Sequence, residues 1–209
     1  MIQKPFLLIA LFVVATTYPV GTAKTQPQSL NSVVLYEGAR LIPGDAGRPI
    51  ESAAMLVENG VITRVGAKGS VNAPRAALRV DLSRKTVMPT LINTHGHPGF
   101  QRGLTYTAEN FNRETIIADL NRALYFGIAA VQSQGIEKGD VMYQIRADQE
   151  SGKLGGARLH IAGRGMGAPN AGPGAAAYAG IAYEVTTEDQ TRKAVQELAA
   201  KKVNLVKIW

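Results

Sequence analysis

The sequence predicts an α/β fold: the amino-terminal half of a (β/α)8 barrel of the TIM-barrel type, preceded by a small β-sandwich domain. Three observations carry that expectation. Short apolar stretches broken by turn residues fill positions 33–88 with no helical period, and after Pro89 strand-like and helix-like stretches alternate. Two of the chain's three histidines, His95 and His97, then fall at the carboxyl end of the first of the later strands. Alternating strands and helices imply parallel strands joined by right-handed crossovers, and barrels of this kind place their chemistry at the carboxyl ends of the strands.

At the amino end, Lys4 precedes an apolar run from Phe6 to Ala15, followed by Gly21-Thr22-Ala23, small residues where a signal peptidase cuts. Residues 1–23 read as a signal peptide, which points to a secreted or periplasmic protein. The run is too short for a membrane span of about 20 residues. With no cysteine for lipid attachment, disulfides or thiolate ligands, no membrane anchor is expected. Residues 24–32 read as a linker.

Residues 33–88 form the expected β-sandwich. Strands are predicted at Val33–Tyr36, Arg40–Ile42, Ala54–Glu58 and Val61–Val65. The last two flank Asn59-Gly60, a pair suited to the positive φ angles of a hairpin turn. Arg79–Leu82 and Lys85–Met88 read as a second antiparallel pair. Residues 89–209 form the barrel portion. It comprises a strand at Leu91–His95; a helix at Arg113–Phe126 capped by Asn112 and stopped by Gly127; a strand at Ile128–Gln132; a helix at Val141–Ser151 with Asp140 as cap; and a strand at Arg158–Ala162. A long Gly-, Ala- and Pro-rich loop, Arg164–Thr186, reads as a lid. A capping box, Thr187 with Gln190, opens a helix to Lys202, and Val203–Ile208 is the fourth strand. A doubly wound sheet would want a phosphate-binding glycine loop after its first strand, where this chain has His-Gly-His. Four strands cannot close an eight-stranded barrel, so the chain reads as the front half of something longer.

The formal charge of +7 and pI near 9.7 admit anionic partners, but the basic residues are scattered, with adjacent pairs only at Arg84-Lys85, Arg192-Lys193 and Lys201-Lys202, and aromatics are 6%. This reads as a solvated surface, with no nucleic-acid partner. In a strand His95 and His97 share a face, and paired imidazoles can hold one divalent cation. Lys207, among apolar neighbours of the last strand, is either solvated or drawn inward; a desolvated neutral lysine can capture carbon dioxide as a carbamate. Gln101, Arg102, Gln132, Gln134 and Arg164 fall at strand ends or in adjoining loops, where an arginine could fork a substrate carboxylate. The role of His160 stays open.

The segment Pro89-Thr90-Leu91-Ile92-Asn93-Thr94-His95-Gly96-His97-Pro98-Gly99, taken with Val203-Asn204-Leu205-Val206-Lys207-Ile208-Trp209, resembles the metal-dependent amidohydrolase superfamily. The imidazolonepropionase-like and prolidase-like branch is the nearest in pattern. The resemblance implies two divalent ions, usually zinc, with His95 and His97 on the more buried one and carbamylated Lys207 bridging to the other. It also implies two further histidines and a general-base aspartate, all beyond residue 209, so these 209 residues are expected to be inactive alone. A complete relative hydrolyses carbon–nitrogen bonds (non-peptide amides or dipeptides) or esters of small molecules through a metal-bridging hydroxide, and a homo-oligomer is compatible with that. A single-metal deaminase and a non-catalytic basic binding protein with a relic fold are the competing readings.

Overall fold

The computed structural model describes residues 33–171 and 180–209. The expected signal peptide and linker lie outside the described residues, as does part of the expected lid. What is described is α/β, and the chain parts after Val87 into two compact units.

The first unit holds β1 (Val33–Leu41), β2 (Ile50–Glu58), β3 (Val61–Ala67), β4 (Leu78–Asp81) and β5 (Thr86–Val87). Asn59 and Gly60 adopt φ of 53° and 80°, and β2 and β3 pair antiparallel around them, the hairpin expected of that dipeptide. The two short strands expected at 33–36 and 40–42 are one strand, bulged where Gly38 takes φ 91°. A Cβ at Gly38 would stand 2.6 Å from Ser83 Oγ, so only glycine admits the crossing chain. The second expected hairpin does not form. β4 and β5 both run parallel to β1, because Leu82 N–H donates to the Glu37 carbonyl and Arg40 N–H to the Lys85 carbonyl, while the turn at 82–85 carries the chain onward along the same edge. Among the described residues this unit is therefore one mixed five-stranded sheet in place of the antiparallel sandwich. Leu35, Ala54 and Leu56 are buried at its centre.

In the second unit β6 (Leu91–Gly96) leads into a hairpin, β7 (Gln101–Arg102) with β8 (Thr105–Tyr106), then α1 (Arg113–Tyr125), β9 (Ile128–Ser133), α2 (Val141–Glu150) and β10 (Arg158–His160). β6, β9 and β10 form a parallel sheet in the order β10-β9-β6. Asn112 caps α1 by accepting from Thr115 N–H, and Gly127 takes φ 81° beyond its end. Ile116 and Leu120, one turn apart on α1, and Met142 and Ile145 on α2 meet Val131, Leu159 and Ile161 in a single buried cluster, the i, i+3, i+4 stripe of a helix lying on a sheet. Both helices thus cover the same face of the strands.

Beyond β10, β11 (Met166–Gly167) and β12 (Tyr183–Glu184) pair in parallel, and α3 (Glu188–Ala200) opens with the expected capping box of Thr187 and Gln190. Ala194 and Leu198 of α3 bury against Met166. Three expectations change here. Asp140 caps nothing with its side chain; its carboxylate accepts from Lys201 Nζ at 2.6 Å instead. β10 ends at His160, because the next amides turn to side chains: Ile161 N–H donates to Asn204 Oδ1 at 2.8 Å and Ala162 N–H to Ser133 Oγ at 3.1 Å. Residues 203–209 do lie alongside 161–167, with Asn204 N–H on the Ile161 carbonyl and Met166 N–H on the Lys207 carbonyl, but their only bridge is Met166 with Ile208, and no regular strand forms. Strand order nevertheless advances in one direction from β6 to this last segment, with no reversal of the kind that marks a doubly wound sheet.

Candidate functional site

The site is built on the carboxyl end of β6. His95 is exposed and His97 half-buried, and their rings meet edge to face with centroids 5.2 Å apart and planes at 80°. His97 Nδ1 is buried with no hydrogen-bond partner. Burial holds the His97 pKa below the ordinary 6.5, and the nearby charges of His95 and Lys207 push it the same way. All three influences favour the neutral ring, the form that ligates a metal.

Lys207 reaches the same place from the last segment. Its stem lies over Gly135, where a Cβ would stand 2.7 Å from Lys207 Cγ and 2.8 Å from Cβ. Gly135 also has φ of 92°, so two constraints call for glycine directly after Gln134. The indole of Trp209 fills the corresponding gap over Gly165, 2.2 Å from where a Cβ would be. His95, His97 and Lys207, chosen on sequence, are thus brought to one end of the parallel strands.

The other sequence candidates have different surroundings. Gln134 is buried, and its Nε2 donates to the Thr94 carbonyl at 2.8 Å. Gln132 is half-buried, its Nε2 on the Ser133 carbonyl. The Arg164 fork is taken by the chain itself: Nε donates to the Ile181 carbonyl at 2.5 Å and Nη2 to the Ala182 carbonyl at 3.3 Å, and the guanidinium lies 4.0 Å above the Tyr183 ring. It ties the two ends of the expected lid together. Gln101 and Arg102 are exposed on the β7–β8 hairpin, where Gln101 Nε2 donates to the Gly103 carbonyl. His160 lines a cavity of about 660 Å³ with Arg146, Gln149, Arg158 and Asn204. His95, His97 and Lys207 do not border that cavity.

One residue was missed on sequence. Glu137 is 3% exposed, its carboxylate facing the Ser133 side chain and the amides of Glu137, Gly135 and Ala162. Burial raises its pKa from 4.5 to about 7, against the opposing pull of Ser133 and of the amides of Glu137, Gly135 and Ala162. It borders a cavity of about 190 Å³ with Tyr143, Arg164, Tyr183 and Lys201. The available signal was its place, just past the end of β9, where polar residues in a barrel fold face ligands.

The paired imidazoles, with a ring nitrogen buried and unpartnered, fit part of a divalent-cation ligand set. Among the described residues no group of three or more His, Cys, Asp and Glu side chains gathers to complete one.

No family model matches the sequence, and no curated protein matches it. Solved structures do. A putative prolidase from Bifidobacterium longum is 22% identical with a TM-score of 0.67, the match covering 85% of this chain and 40% of that one. A Xaa-Pro dipeptidase with methionine bound in its active site is 21% identical with a TM-score of 0.68, over 85% of this chain and 47% of that one. An amidohydrolase is 20% identical with a TM-score of 0.67, over 85% and 46%. This chain therefore shares its fold with these proteins and spans less than half the length of each.

Proposed function

We propose that the chain belongs to the metal-dependent amidohydrolase superfamily and forms the first three strand–helix units, and the segment of the fourth strand, of a (β/α)8 hydrolase. Its substrates are small molecules carrying an amide, dipeptide or ester bond. The observation that carries this reading is the convergence of His95, His97 and the Lys207 stem at the carboxyl end of parallel strands, with a buried imidazole nitrogen left unpartnered. The fold shared with a prolidase, a Xaa-Pro dipeptidase and an amidohydrolase supports it.

In this reading His95 and His97 would hold one divalent ion, with zinc the expected metal given two nitrogen ligands and no thiolate. Lys207, held by its stem on Gly135, would give up its ammonium proton, add its amine to the carbon of carbon dioxide and release a second proton, and the carbamate so formed would supply an anionic ligand for a second divalent ion. Bound divalent cations supply Lewis acidity, polarising a carbonyl and lowering the pKa of water. The chain's own residues supply placement. Burial favours the neutral, ligating form of the His97 ring, and Gly135 admits the lysine stem. We expect these 209 residues to bind metal without turnover. We further propose residues 1–23 as a signal peptide, hence secretion or export to the periplasm, and Gln101 and Arg102 as groups facing the substrate from the exposed hairpin.

Metal analysis of the purified chain tests the reading. Wild type should retain zinc after gel filtration, His97→Ala should retain none, and Lys207→Ala should lose whatever exceeds one equivalent. Zinc content unchanged in His97→Ala would refute it. A site that holds one equivalent regardless of Lys207 would favour the single-metal, deaminase-type alternative, and a wild type without zinc would favour a non-catalytic relic. Assay of a protein that contains these residues within a complete barrel, on Xaa-Pro dipeptides, phenylureas and aryl esters, then addresses substrate class.

A further inference from the structure

β6 does not run smoothly into its histidines. Asn93 pairs with Val131 and Gly96 with Ser133, so three steps along β6 match two along β9. This is a one-residue bulge, and it falls on Thr94 and His95. A bulge leaves ladder groups without strand partners and redirects the side chains that follow it. Here two side-chain amides meet those groups. His95 N–H donates to Asn93 Oδ1 at 3.0 Å, and the Thr94 carbonyl accepts from Gln134 Nε2 at 2.8 Å. Gln134 is 9% exposed, so an unmade bond there would be costly. Gly96, on the far side of the bulge, presses against the sheet where a Cβ would stand 2.7 Å from Val131 Cγ1.

We propose that Gln134 and Asn93 are positioning residues. Together they lock the bulge that aims His95 and His97 at a common point, and so preorganise a two-imidazole site for a divalent cation. Without the lock, strict two-residue alternation would still put both side chains on one face, but nothing would fix their separation or ring angle. Gln134 follows directly on β9, so its amide also ties the histidine strand to the loop that carries Gly135 and, through it, the Lys207 stem. The inference rests on the divalent-cation reading of the pair given above.

The test uses the full chain, zinc as the probe, and three variants. Gln134→Met keeps volume and removes the donor. Gln134→Glu also removes the donor but adds a negative charge that by itself would tighten cation binding. Asn93→Ala removes the more exposed contact and serves if the Gln134 variants do not fold. Zinc affinity by calorimetry should fall about 10–100-fold in Gln134→Met and Gln134→Glu, the range typical of lost outer-shell partners. In the metal-free chain, the nuclear Overhauser contact between the His95 and His97 rings should weaken in both, while the amide spectrum of the rest of the fold stays in place. Folded variants with wild-type zinc affinity and an unchanged ring-to-ring contact would overturn the proposal. If wild type binds zinc no better than His97→Ala, the cation reading fails and the preorganised site with it; the metal-free ring contact then shows separately whether Gln134 locks the bulge.

Discussion

Glu137 is the residue whose ionisation should be felt most strongly. Its folded pKa of about 7 lies above the 4.5 of an exposed glutamate, so between those values the folded chain holds a proton that the unfolded chain has lost. Stability from this group is fully present below about 4.5 and is lost as pH rises through about 7. Glu137→Gln should remove that pH dependence and stabilise the chain at pH 8, by up to the order of 3 kcal/mol; denaturant titrations at pH 5 and pH 8 measure both. An identical pH slope in the variant would mean that other groups set it. Residue-scale legibility followed from how local the physics is. His95 and His97 could be chosen because alternation and ligand chemistry are local properties. The hydrogen-bond partners of Gln134 and Arg164 could not be read, because they are backbone carbonyls 40 and 17 residues away in sequence. Glu137 was not singled out, since burial depends on the packing of elements that a sequence does not list.

Among the elements, α3 shows how fully an end signal can be written in a few residues. The Thr187 hydroxyl accepts from Gln190 N–H, and the Gln190 side chain accepts from the Thr187 N–H in return. Thr187→Ala should cost about 1 kcal/mol, the usual value for an N-cap, read as a lowered midpoint in thermal unfolding by circular dichroism; no change would mean that Leu198 and Ala194 alone hold the helix in place. The positions of the three long helices were legible because the 3.6-residue period acts within one turn, although the cap expected of Asp140 does not form. Strands were less so. Arg79–Leu82 and Lys85–Met88 carried the apolar texture of a hairpin, yet Glu37 and Arg40 of β1 take their hydrogen bonds, and no pattern inside the two stretches records that competition. For 203–209 the composition was right for a strand, but a regular ladder needs neighbours in register, and Asn204 spends its side chain on Ile161.

For the second unit as a whole, the sheet presents two open margins. Among the described residues β6 pairs only with β9, and Ile208 bridges only to Met166. Leu91, Ile92, Val206 and Ile208 are 55%, 64%, 39% and 69% exposed on these stretches. Unpaired strand edges carrying apolar side chains invite pairing with other chains. The purified chain should therefore associate with rising concentration in light scattering, and Ile92→Lys should shift it towards monomer; a wild type that stays monomeric throughout would show the margins to be protected. Trp209 lends these experiments a convenience. It is the only tryptophan in the chain, its ring is seated on Gly165 and reaches to within 3.1 Å of the point where a Gly135 side chain would begin. Excited alone, it is a native fluorophore set beside the lysine stem, and the colour and brightness of its emission should register any occupant of that corner in unlabelled protein.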